Sequence, residues 1–122
     1  MSTPANYNLT IYQGDTFVND FQLIQNIGGV DQPVPLTNLS PLAQVRLRPE
    51  DEIVIADFTV EITDAEDGKF RLFMDNDETR LLPRVSFYDL QTVDDIDGTV
   101  KTWLAGKVNS PREVSRDYID GE

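Results

Sequence analysis

The chain has 122 residues, no cysteine and no histidine, and its 22 Asp plus Glu against 10 Lys plus Arg give a formal charge of −12. That length suits one domain with a core of its own, and the two missing residue types exclude disulfides, thiolate or imidazole metal sites, cysteine nucleophiles and every triad built on imidazole. The acidity sets the surface against nucleic acid and anionic lipid, whereas 39% hydrophobic residues in regular alternation mark a packed fold.

The first residues carry neither a basic nor an apolar signal region, and no apolar run approaches the length of a membrane-spanning helix, so synthesis in the cytosol and no membrane partner are expected. Tyr7, Leu9 and Ile11 alternate with polar residues and predict a first strand. After Gly14-Asp15, Thr16 to Gln25 predicts a second, in which Ile24 falls on the polar phase and suggests a bulge or a doubly buried end. Gly28-Gly29 closes it. From Gly28 to Pro41 the glycines and prolines predict mostly loop, with a short edge piece around Val34 to Leu36.

Ala43, Val45 and Leu47 alternate with Gln44, Arg46 and Arg48 in a further strand that Pro49-Glu-Asp-Glu52 ends. Val54, Ala56, Phe58, Val60 and Ile62 keep one apolar phase, and Phe70, Leu72 and Met74 resume it after the turn at Asp67-Gly68, which makes a hairpin. Asn76 to Leu82 holds at most a short helical turn, which Asp77 would cap and Pro83 would stop. Val85 to Gln91 and Val100 to Val108 form a last hairpin about the acidic turn at Asp97-Gly98. Roughly seven or eight short strands with almost no helix describe an all-β, immunoglobulin-like antiparallel β-sandwich. A barrel fits less well, because the long connection from Gly28 to Pro41 interrupts any regular meander. Residues 1–108 are read as one sandwich domain, and the acidic stretch 109–122 as a C-terminal tail that is flexible or ordered by a partner.

Several of these elements occur in an order that resembles small immunoglobulin-like virion proteins of tailed bacteriophages, including the N-terminal domain of baseplate upper proteins. The likeness runs over roughly residues 7 to 108: Gly14-Asp15-Thr16 after the first strand, Val45-Arg46-Leu47-Arg48, then Phe87-Tyr88-Asp89-Leu90-Gln91, an acidic turn ending at Gly98, and a strand with Trp103 and the late Gly106. The resemblance implies a non-enzymatic structural protein of the virion, made in the host bacterial cytoplasm, in the baseplate or tail. Capsid decoration is the near alternative. It also implies contacts with other virion proteins and with further copies of itself, and no cofactor. In such sandwiches a Tyr beginning the strand after a helical turn often bonds back to backbone at that corner. Tyr88 is either that residue or an ordinary strand residue.

Trp103 follows a strand phase and is read as packing rather than as a ligand platform. Asp94, Asp95 and Asp97 invite a calcium reading, but the ligand spacing of a calcium loop is absent and a solvated acidic turn accounts for them. With no Gly-x-Ser-x-Gly elbow, no phosphate-cradling glycine run and carboxylates too abundant to be diagnostic, no enzyme is expected. Arg46 and Arg48, followed by Glu50, Asp51 and Glu52, make the sharpest charge contrast, either a face that docks an acidic neighbour or a solvated sheet face. Edge strands offer a second docking mode, with the segment containing Pro111, Arg112 and Tyr118 as a donor and Met1 to Asn6 as a further arm. A carbohydrate-binding module or host-surface adhesin is the alternative of another class, and would need Tyr12, Tyr88, Trp103 and Tyr118 on one open face.

Overall fold

Side chains on a strand alternate between two faces, so segments with apolar residues at period two bury one face and leave the other to water. A computed structural model describes residues 5–112 and realises this in ten strands: β1 (Ala5–Asn6), β2 (Leu9–Thr10), β3 (Phe17–Gln22), β4 (Ile24–Ile27), β5 (Val30–Pro33), β6 (Leu39–Arg46), β7 (Ala56–Asp64), β8 (Lys69–Met74), β9 (Val85–Asp94) and β10 (Val100–Asn109). One helical turn, α1 (Asn76–Thr79), links β8 to β9. The protein is all-β.

The main sheet runs β1-β10-β9-β6-β7-β8-β3, with β2 also beside β10. It folds over at β7: Ala56 to Phe58 pair with β6, whereas Thr59 to Asp64 pair with β8. Two layers result, with β3-β8-β7 in one and β6-β9-β10 in the other, which is the pairing order of an immunoglobulin sandwich. Between them lie Val45, Phe70, Leu72, Met74, Leu90 and Val108, all 1% exposed or less. Phe58 meets the Tyr88 ring edge-on across the layers, with centroids 6.1 Å apart.

Several expectations need correction. The sheet is not wholly antiparallel: β1 and β2 run parallel to β10, and the ladder continues through the Ile11 N–H to the Asn109 carbonyl and the Gln13 N–H to the Pro111 carbonyl. Alternation reports which face is buried but not strand direction. Ala5 and Asn6, expected in a loose arm, are therefore sheet residues, and Asn109 to Pro111 belong to the sandwich rather than to a tail.

The expected loop after Gly28 is half of a hairpin. Gly28 and Gly29 have φ of 60° and 84° and join β4 to β5 with Ile27 opposite Val30, the two-residue turn with two positive φ angles. The Asn26 carboxamide accepts the Gly29 N–H and donates to Asp31, which fixes the turn. Ile24 is neither a bulge nor doubly buried. Leu23, buried, donates its N–H to the Gly68 carbonyl and accepts the Val34 N–H, so the chain leaves the main sheet there and Ile24 begins the hairpin in solvent. Val34 and Leu36 lie in the core outside any strand. A β-carbon at Gly68 would crowd the Val34 and Leu23 carbonyls, so the close approach that seats the hairpin requires glycine.

The apolar phase expected from Val54 becomes strand only at Ala56, although the Ile55 N–H still reaches the Val45 carbonyl of β6 at 2.8 Å. In α1 the cap is Asp75, not Asp77: its carboxylate accepts the Glu78 N–H at 2.9 Å.

Candidate functional site

The pleat and register place one set of side chains on the outward face of β6, β9, β10 and β1. One row across the sheet runs Gln44, Asp89, Ala105, Asn6; the next runs Arg46, Phe87, Lys107. With Ala5, Asn8 and Pro49 at the margins they enclose a groove of about 580 Å³, a size usual for ligand sites. Phe87 thus has a cation directly across on either side. Neither Arg46 nor Lys107 has a carboxylate within ion-pair distance among the described residues, whereas Arg71, on the outer face of the other layer, is held by Asp20 at 2.8 Å and Glu61 at 3.5 Å.

The Arg46 guanidinium donates to the Gln44 side-chain oxygen at 3.2 Å. Burial pushes the Asp89 carboxyl above its ordinary value, and the charge of Arg46 and a hydrogen bond with Gln91 partly offset this. The groove therefore combines an apolar floor with two cations and a carboxyl that is half-buried in the wall.

One wall of the groove is the N-terminal strand, and its position has a specific cause. Between β1 and β2 the Tyr7 carbonyl turns toward the sheet and accepts the Tyr88 hydroxyl at 2.6 Å. Gly106 lies opposite Tyr88, where a β-carbon would overlap the Tyr7 carbonyl, so the strand lies this close only over glycine. Asn8 then accepts the Lys107 N–H at 2.9 Å. Tyr88 consequently does not make the corner bond to nearby backbone that was one of its two expected roles; its partner is 81 residues away. Burial, with Tyr7 as a lesser cause, pushes the Tyr88 hydroxyl up to about 12.

The other sequence candidates are dispersed. Arg48 does not join Arg46: β6 ends at Arg46, and Arg48 lies in the exposed turn closed by its carbonyl and the Asp51 N–H. Gly14, at φ 91°, donates its N–H to the Thr79 hydroxyl, which donates to the Asp15 carbonyl, so this pair seats α1. At Gly98 the Asp94 carboxylate accepts the Ile96 and Asp97 N–H groups, and the Thr99 hydrogen bonds hold Asp97 below the usual carboxylate range. These acids structure their own turn. Among the described residues no three Asp or Glu are grouped to hold a metal ion.

Trp103 occupies an irregularity in β10, packs partly against the core, and donates its indole N–H to Thr92 at 2.8 Å, with the Lys101 ammonium 4.0 Å over its ring. Tyr12 is exposed and Tyr88 buried, so the aromatics proposed for a sugar platform do not share a face, and Tyr118 lies outside the described residues. Pro111 bonds Gln13 beyond β10, and Arg112 is exposed there, outside the groove.

The sequence reading found Arg46 and Asp89 but not Gln44, Phe87, Lys107, Asn6 or Asn8. One signal was available: Phe87 stands on the outward phase of a strand whose inward phase is already filled by Tyr88 and Leu90. No family model matches this chain, and no curated protein sequence matches it.

Proposed function

We propose that the protein is a non-enzymatic docking module that binds an acidic, partly apolar segment of a partner protein in the groove of β6, β9 and β10. The observation that carries this reading is the row Arg46, Phe87, Lys107: an aromatic floor flanked by two cations without ion-pair partners among the described residues, in a chain of charge −12. Two cations attract a carboxylate, and the floor rewards an apolar neighbour beside it. Asp89, Arg46 and Lys107 supply no paired nucleophile and base, and the chain has no histidine or cysteine to add one.

The resemblance stated above supplies the setting: a structural component of a tailed-phage particle, in the baseplate or tail, with capsid decoration as the near alternative. The test puts a photo-crosslinking amino acid at Phe87 in protein carried by intact particles. A crosslink to a virion protein supports the reading, and the identity of that protein tells tail from head. Particles that lack the protein, or a groove that crosslinks nothing in them, overturn it. A carbohydrate-binding reading retains one supporting observation, the amides of Asn6, Asn8 and Gln44 beside Phe87. A glycan screen whose hits are lost in Phe87→Ala would put it first.

A further inference from the structure

The hairpin from Ile24 to Pro33 stands off the main sheet, since β4 and β5 pair only with each other. Nearly every residue in it is exposed, including Ile24, Ile27 and Val30 at 55%, 51% and 57%. Two-stranded hairpins are marginal in water, and three large aliphatic side chains on such an arm are costly to leave in solvent. The arm is nevertheless fixed: Gly28-Gly29 sets its turn, the Asn26 carboxamide ties the turn to Asp31, and Gly68 lets its base pack at Leu23 and Val34. Asp31 is its one ionisable residue and follows Val30 directly. The arm therefore presents Ile27 and Val30 on one face and its single carboxylate, Asp31 opposite Asn26, on the other, and the groove presents an apolar floor with two cations.

We propose that the groove of one copy takes the Ile24–Pro33 hairpin of a second copy, with Ile27 and Val30 down on Phe87, Ala105 and Pro49, and the long Arg46 and Lys107 side chains reaching past the edges of the ribbon to Asp31 on its other face. This rests on the docking reading of the groove and names its occupant. Charge complementarity selects it over hairpin against hairpin, which would offer no cation to either Asp31 and leave both grooves unused. The two surfaces come from different parts of the chain, so the contact is head-to-tail. Each copy keeps one free hairpin and one free groove until a ring closes or a filament grows.

The test is native mass spectrometry and sedimentation of the full chain over a concentration series, with melting curves to show that each variant is folded. The parent protein is expected to assemble. Ile27→Asp, which keeps an intact groove, and Arg46→Glu, which keeps an intact hairpin, are each expected to be monomeric. An equimolar mixture of the two is expected to give a heterodimer and nothing larger. Val30→Asp and Lys107→Glu repeat the experiment if either first variant fails to fold. A monomeric parent protein overturns the proposal, as does a mixture that recovers no heterodimer, or a parent oligomer that survives both groove variants. If the parent is monomeric but Phe87 still crosslinks to a different virion protein, self-docking fails while the docking reading stands. If both fail, both are rejected.

Discussion

Tyr88 works at both ends of its side chain. The ring packs against Phe58 in the core, and the hydroxyl holds the Tyr7 carbonyl, so one residue sets the spacing of the layers and the position of the groove wall. Tyr88→Phe keeps the ring and removes the hydroxyl, leaving that carbonyl without its donor at a cost of about 1–2 kcal/mol. At about 4 °C per kcal/mol for a domain of this size, the melting temperature should drop by several degrees. Burial of that hydroxyl makes stability depend on alkaline pH. The folded value of about 12 lies above the ordinary tyrosine value, so the contribution of Tyr88 is complete below about pH 10 and is lost as pH rises through about 12. Melting curves across that window should fall more steeply for the parent than for Tyr88→Phe, and parallel curves would contradict this role. At this scale the sequence was legible as residue type but not as partner. The reading singled out Tyr88, Gly106 and Arg46, yet only register brings Tyr7, between β1 and β2, to Tyr88 and Gly106, and Lys107 of β10 to the far side of Phe87 from Arg46.

Each element owes its ends to local chemistry, and α1 is the clearest case. Four residues cannot sustain a helix by propensity alone, so its cap and its neighbours carry it. Asp75 accepts the Glu78 N–H, and Thr79, fully buried, is bonded to both Gly14 and Asp15. Asp75→Ala should cost about 0.5–2 kcal/mol in chemical denaturation, and no change would mean that the Thr79 contacts alone hold the turn. The strands β3, β6, β8, β9 and β10 were legible because each buries one face and therefore alternates. The hairpin of β4 and β5 was not, because with both faces in water nothing imposes a period on Val30-Asp-Gln-Pro33. That blind spot matters, since the arm proposed to dock is the element with no core signature. The groove was hidden for a related reason: its residues are the polar phases of three strands, which alternation treats as solvent.

The charge of the whole molecule is unevenly spread. One layer neutralises its outer arginine, Arg71, with two carboxylates, while the other keeps Arg46 and Lys107 for the groove. A net charge of −12 repels itself most strongly in the compact state. Raising ionic strength from roughly 10 mM to 0.15 M shortens the screening length from about 30 to about 8 Å, so the melting temperature should rise over that range. An unchanged or falling value would mean that the counted acids are already offset by local pairing. The all-β class and the layered packing followed from strand spacing and core phase, whereas the parallel seam did not.

That seam has a consequence for the order of events in folding. β1 and β2 come first in the described chain and β10 last, and among the described residues β10 is the only strand either of them pairs with. The Asn8 to Lys107 bond spans 99 residues. The N-terminal segment therefore has no ladder until β10 lies beside β9 and offers its other edge. The groove wall cannot form before β10 does, so a molecule caught ahead of that step carries the projecting hairpin but not the wall that completes the groove, and under the proposed head-to-tail contact only finished molecules would join in both directions.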